Sequence, residues 1–342
     1  MREFSYSPSW GHEVEEPDDV MLAAQLAAVL EVSAWPKPGN VHRMADLGPK
    51  TYERFLAGSL AIGPACRKAA ERGLSAGEGR ISLSEIGLGS LMEEAASSDG
   101  SWQTSGPSHT GFIILAIPLS ASAGLLLGEG SALNLSALRS SLSAILEAST
   151  VEDAVGLYRA IRKSSSTKLG ELSPSAEIPD VLSPRAEEEL REKSITLLDV
   201  LKASSSWDLV SRELLEALRL SSDIGLPTFR RYLEETGSLN VAIVNTYLAL
   251  LSSARDTHLA RAWGLRRTPR MPDALRIGLE MAEEVSRRAR EALELGGAAT
   301  KEGLRAVEEL DAWLRSLDLN PGSCADLTAC TLMLAILMGF RP

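Results

Sequence analysis

Apolar residues recur at helical spacing along most of the chain. Leu22, Leu26, Val29 and Leu30 fall three and four apart behind Asp18 and Asp19, either of which can cap a helix over residues 18–32. Residues 51–73 carry Phe55, Leu56, Leu60 and Ile62 and predict one helix. Ser82 and Glu85 have capping-box spacing ahead of a short helix over 86–97. Residues 111–128 are uncharged and apolar on every side, so they form either a membrane span or a buried core helix. Pro118, two serines and the lack of aromatic or basic flanks favour the buried central helix. Further helices are expected over 135–146, 151–163, 185–193, 195–201, 207–220, 226–237, 239–254, 272–295 and 301–316, with a last apolar one over 327–340. Sustained polar–apolar alternation is missing, which leaves little room for strands. The pattern predicts an all-α fold: one multi-helix orthogonal bundle domain over 1–342 with buried central helices. Residues 1–17 read as a flexible lead, and the Ser- and Pro-rich stretch 163–184 as a surface loop.

Composition narrows the function. The chain has 342 residues, 44% of them hydrophobic, enough for a sizeable core. A net charge of −11 argues against nonspecific binding to nucleic acid or an anionic membrane, but leaves room for a local basic pocket. Cys66, Cys324 and Cys330 form no C-x-x-C pair, and the four histidines lack metal-ligand spacing, so no zinc site is expected. An odd, small number of thiols fits a reducing cytoplasm, and the acidic run from Glu13 to Asp19 is unlike a secretory signal. Dinucleotide, Walker and nucleophile-elbow motifs are missing, as is any solenoid repeat.

Three loops carry candidate chemistry. In the first, E-V-S-A-W-P-K-P-G-N-V-H-R at 31–43, two prolines hold Lys37 out of the helical region, and Gly39-Asn40 supply a sharp turn. A cation held this way, with His42 and Arg43 beside it, suits an anion such as phosphate; a plain helix terminator is the alternative reading. The second loop, 104–111, offers Ser108, His109, Thr110 and free N–H groups at a helix N-terminus, an electropositive place. The third, N-P-G-S-C-A-D-L at 320–327, brings Gly322, Ser323 and Asp326 to the start of a buried helix. Capping is the competing reading for Asp326 after Ser323, Asp153 after Thr150 and Asp208 after Ser205. Asp208 shares an amphipathic helix with Arg212 and Glu213, whereas Asp256, His258 and Arg261 read as a solvated helix start.

Taken in order, these blocks resemble the triphosphoribosyl-dephospho-CoA synthase family, including its archaeal-type relatives. The similarity runs from 31–43 through F-L-A-G-S at 55–59, S-G-P-S-H-T-G at 105–111, D-A-V-G-L-Y-R-A-I-R at 153–162 and W-D-L-V-S-R-E at 207–213 to N-P-G-S-C-A-D-L-T-A at 320–329. The resemblance implies an all-helical enzyme that moves the triphosphoribosyl group of ATP to the ribose 2′-hydroxyl of 3′-dephospho-CoA and releases adenine. Its partners are then small nucleotides rather than nucleic acid or membrane, and a homodimer is compatible with it. The resemblance implies that Lys37 and Arg43 hold phosphates, and that Ser108, His109, Thr110, Gly322 and Ser323 complete the nucleotide site. It gives Asp208, Glu213 and Asp326 as ligands for Mg²⁺, and Asp326, Asp208 and Glu31 as catalytic carboxylates. Two departures stand out: Pro107-Ser108-His109-Thr110 replaces the family's Asn-Thr-His-Lys, and His42 replaces an acidic residue. A nucleotide-handling enzyme with another acceptor, or a non-catalytic nucleotide-binding protein, is the alternative.

Overall fold

The computed structural model describes residues 9–103, 106–164, 169–172 and 176–342. The first helix, α1 (Pro17–Ser33), opens with Pro17 where its missing N–H costs nothing, and Glu16 and Asp19 close a capping box around it. Residues 51–73 form two helices rather than one. Thr51 caps α2 (Tyr52–Ala61), and α3 (Gly63–Gly77) starts afresh after Ile62 with Pro64 in its first turn. Pro64 has no N–H to continue the α2 ladder, so the chain restarts there. The Ser82–Glu85 capping box forms, but around the single turn Leu83–Glu85. The next helix, α4 (Leu88–Ser101), begins behind Gly87 at φ +68°.

α5 (Thr110–Gly128) is long and apolar enough to cross a membrane, yet every residue from Phe112 to Leu126 is buried within the protein. It packs most extensively on α3, where a methyl on Gly124 would lie 1.9 Å from the Ala70 carbonyl oxygen. Then come α6 (Leu135–Glu147), α7 (Val151–Lys163), α8 (Ala186–Glu192) and α9 (Leu197–Ser204). Asp153 closes the Thr150 capping box and also accepts the Gly89 N–H at 2.9 Å, which ties α7 to α4.

Where it is described, the stretch 163–184 is not a free surface loop. Glu171 exchanges backbone hydrogen bonds with Pro269 and Met271, the Tyr158 hydroxyl donates to the Pro179 carbonyl at 2.8 Å, and Ile178 and Pro179 are buried. Residues 165–168 and 173–175 of that stretch lie outside the described residues. The helix expected over 207–220 is the short α10 (Leu209–Leu215). Ala217 and Leu218 take left-handed φ of 49° and 62°, and Glu213 turns its carboxylate back onto the N–H groups of Leu220 and Ser221 at 3.0 and 2.7 Å. A wide turn, Ser221–Gly225, leads into α11 (Leu226–Thr236).

α12 (Leu239–Ser253), α13 (Thr257–Gly264), α14 (Met271–Glu294), α15 (Lys301–Ser316) and α16 (Gly322–Leu337) complete the chain. α16 starts before the expected 327, so Asp326 lies inside its first turns. Residues 9–16 pack on the C-terminus instead of forming a free lead. His12 N–H donates to Gly339 at 3.1 Å, Arg341 N–H to Ser9 at 3.0 Å, and the Trp10 and Phe340 rings lie 5.3 Å apart; residues 1–8 are outside the described residues. Among the described residues extended chain makes only isolated bridges, and the fold is all-α. Its buried centre is α5, α12 and α16, and the loops before α5 and α16 meet at one end of that centre.

Candidate active site

The proline corner after α1 is clamped from two sides. Asn240 of α12 accepts the Trp35 N–H at 2.9 Å and donates to the Trp35 carbonyl at 2.6 Å, and the Tyr247 hydroxyl donates to the Pro38 carbonyl at 2.8 Å. From α15, Asp311 accepts the Gly39 N–H at 2.8 Å and Arg315 donates to the Asn40 carbonyl at 2.6 Å. Gly39 is at φ +71°, and a methyl there would lie 2.6 Å from the Leu319 carbonyl oxygen, so only glycine fits the turn. His42, which departs from the family pattern, is buried beside Arg315 and accepts the Met44 N–H at 3.2 Å.

Lys37 faces inward. It is 0% exposed, and its ammonium pairs with Glu31. Burial drives its pKa down, against the pull of the Glu31 carboxylate. Arg43 lies exposed outside and donates to the Ser33 carbonyl at 2.9 Å. Neither of these expected phosphate-binding cations lines the cleft described next. The prolines set the shape of the corner, but the choice of face is made by Glu31, which takes up the ammonium.

A cleft of ≈ 670 Å³ opens over Glu31. The starts of four helices edge it: Thr110 of α5, Asp208 at the N-cap of α10, His258 of α13 and Gly322 of α16. Helix N-termini present unpaired N–H groups and partial positive charge. Lys50 and Arg261 add cationic side chains to the lining. Of the residues expected at the site, Glu31, Ser108, His109, Thr110, Asp208, Gly322, Ser323 and Asp326 come together here, and Lys37, Arg43 and Glu213 do not.

Asp326 does not close a capping box on its own helix, whose N-cap residue, Pro321, makes no side-chain cap. It reaches across to α5 instead and accepts the Phe112 N–H. A methyl on Gly111 would lie 2.0 Å from its Oδ2, so the glycine makes room for the carboxyl. Burial, reinforced by the Glu31 and Asp256 carboxylates, pushes its pKa well above the usual range, although one side of the group opens into the cleft.

The other carboxylates divide by task. Asp208 is itself the cap of α10, where its Oδ2 accepts from the N–H and hydroxyl of Ser211 at 2.9 and 2.8 Å. Glu213 is 0% exposed, and burial raises its pKa; it holds the turn after α10 and takes no part in the cleft. Asp256 does not start a solvated helix. It is buried and caps two helices, accepting the Leu259 N–H at 2.9 Å and the Cys324 N–H at 2.8 Å, and burial pushes its pKa to about 6. This double cap places His258 and Arg261 of α13 in the cleft wall. Among the described residues no three His, Cys, Asp or Glu side chains gather as a metal cage.

The sequence pattern did not single out Lys50, Gly58 or Asp99, and it showed His258 and Arg261 only as a solvated helix start. Asp99, at the end of α4, carried no local signal because its partners come from the loop before α5. The F-L-A-G-S block did carry one: Gly58 is the close-approach point against Asp99.

The sequence profile of the ATP:dephospho-CoA triphosphoribosyl transferase family matches residues 17–341. The chain belongs to that family. The match takes in every element around the cleft. A 2-(5''-triphosphoribosyl)-3'-dephosphocoenzyme-A synthase of Klebsiella pneumoniae is 34% identical over 110 residues, which is 32% of this chain and 32% of the relative. The similar segment thus spans about a third of that relative. A crystal structure from Archaeoglobus fulgidus, provisionally assigned as a triphosphoribosyl-dephospho-CoA synthase, has the same fold. Its TM-score is 0.57 at 24% identity, covering 84% of this chain and 100% of the other.

Proposed function

We propose that this chain transfers the 5-triphosphoribosyl group of ATP to the ribose 2′-hydroxyl of 3′-dephospho-CoA with release of adenine. The observation that carries this reading is the cleft itself, where helix N-termini surround two acidic side chains, Glu31 and Asp326. The first turns of α5 and α16, with Lys50, His258 and Arg261, supply the donors and cations a triphosphate needs. Asp326 is compatible with that polyanion because burial favours its neutral form, which does not repel it. In the transfer, the 2′-oxygen bonds to C1′ of the ATP ribose and the bond from C1′ to adenine breaks. Glu31, its charge balanced by Lys37, receives the hydroxyl proton, and Asp326 delivers a proton to the departing base.

The residues present also suit a magnesium ion. The Asp208 cap uses Oδ2, leaving Oδ1 for a cation, and magnesium typically takes one or two carboxylates together with substrate phosphates. Bound there it would neutralise charge on the triphosphate. The three cysteines are buried and unpaired, which supports a reducing, cytoplasmic setting.

Incubation with ATP, Mg²⁺ and 3′-dephospho-CoA is expected to give adenine and a triphosphoribosylated product in equal amounts, read by chromatography and mass spectrometry. Adenine formed equally well without dephospho-CoA, or only with another acceptor, rejects this acceptor. Absence of adenine under every condition rejects the transfer.

A further inference from the structure

His109 sits in the cleft wall with the Phe55 ring packed against it, centroids 5.1 Å apart. The family resemblance gives it a phosphate or the leaving base as partner, but its hydrogen bonds point elsewhere. Ser59 has one hydroxyl proton and donates it to the Phe55 carbonyl at 2.7 Å. Its other contact, with His109 Nε2 at 3.1 Å, therefore has the ring as donor. Nε2–H is directed at Ser59. Nδ1 meets the Ser108 hydroxyl at 2.9 Å, with Asp99 Oδ2 3.6 Å away. A neutral ring accepts at Nδ1 from Ser108, and a charged ring donates there beside Asp99. In both states the same two serines take up the ring nitrogens, and neither nitrogen is left for a substrate.

Asp99 organises the group. It is 0% exposed and accepts the N–H groups of Ser108 and His109 at 2.7 and 2.9 Å and the Gln103 amide; the Ser108 hydroxyl, 3.2 Å away, gives its one proton to Asp99 when the ring is charged and to Nδ1 when it is neutral. Burial alone would raise its pKa, but the bonds from His109 and Ser108 outweigh that and hold it low. A methyl on Gly58 would lie 2.2 Å from Asp99 Oδ1 and 2.8 Å from His109 Nδ1. Parts of α2, α4 and the loop before α5 thus form one unit. The next residue, Thr110, lines the cleft, and its hydroxyl has no hydrogen-bond partner among the described residues.

We infer that Asp99 and His109 are positioning residues, which lock the loop 108–110 so that Thr110 faces the substrate, and that His109 exchanges no proton with it. The kinetic part of the test rests on the transfer proposed above, and the structural part does not.

Hydrogen-exchange mass spectrometry of the whole protein reads the lock directly. His109→Ala is expected to speed exchange in the first turn of α5, whereas His109→Gln, whose amide can still donate to Ser59, stays nearer the wild type. Ser59→Ala removes a single oxygen and gives the same direction of change if His109→Ala does not fold. Unchanged exchange in the alanine variants overturns the inference whether or not the enzyme transfers anything. In the adenine-release assay, His109→Ala raises the KM for ATP about tenfold or more, the order expected when a polar contact of 1.4 kcal/mol or more is lost. His109→Gln recovers much of that loss and keeps the shape of the wild-type pH profile. Equal loss of kcat in both variants, by about a hundredfold or more and with one limb of the pH profile removed, marks His109 as a proton-transfer group and overturns the inference.

Discussion

Asp326→Asn is expected to lower kcat for adenine release by about 10²–10⁴-fold, the usual contribution of a positioned general acid. The KM for ATP should move little. Asparagine has nearly the same shape and can still accept the Phe112 N–H, so the first turn of α5 and the space beside Gly111 are preserved. What it lacks is a proton to give at the moment the base departs. Burial shifts the Asp326 carboxyl toward its neutral form, which the amide resembles in charge, so the substitution disturbs the field around a bound triphosphate little. Steady-state kinetics over a range of ATP concentrations separates the outcomes. A large rise in KM with kcat intact would mean that Asp326 binds substrate rather than moving a proton.

Lys37→Met has the largest expected effect on stability, a loss of about 3–5 kcal/mol from breaking one side of a buried ion pair. The mechanism is the unpaired Glu31 carboxylate rather than a lost phosphate contact, because Lys37 is wholly buried and outside the cleft. Each kcal/mol moves the midpoint by roughly 2–4 °C in a large domain, so thermal unfolding should shift by about 10 °C. The double variant Lys37→Met with Glu31→Gln removes both charges and is expected to recover much of the loss. If Lys37→Met melts with the wild type and only weakens ATP binding, the lysine reaches substrate and the inward pairing is wrong.

The helices were largely legible because their signals are local. The uncharged run that became α5, the Thr150–Asp153 capping box and the amphipathic α14 and α15 announce themselves within a few turns. The breaks were harder to read. Pro64 divides a continuous apolar pattern, and the left-handed turn at Ala217 and Leu218 depends on Glu213 reaching back to Leu220 and Ser221.

For the site, the three loops could be picked out by their residue types, and eight of the expected residues do share the cleft. The directions of their side chains could not be read. Pro36 and Pro38 shape the corner without saying that Lys37 turns toward Glu31. The spacing of Ser323 and Asp326 suggested a cap, yet the carboxyl serves another helix, and Gly111 leaves the space for it. His258 and Arg261 were read as solvated because nothing nearby in sequence shows that Asp256 caps both α13 and α16.

The most direct test of the account is a crystal structure of the Asp326→Asn variant with ATP, Mg²⁺ and 3′-dephospho-CoA, in which slowed chemistry leaves both substrates intact. The account predicts the triphosphate at the first turns of α5 and α16, and the bond between ribose and adenine beside residue 326. The acceptor 2′-hydroxyl should lie on the Glu31 side. A nucleotide bound outside this cleft, or one whose triphosphate faces away from those two helix N-termini, would contradict it.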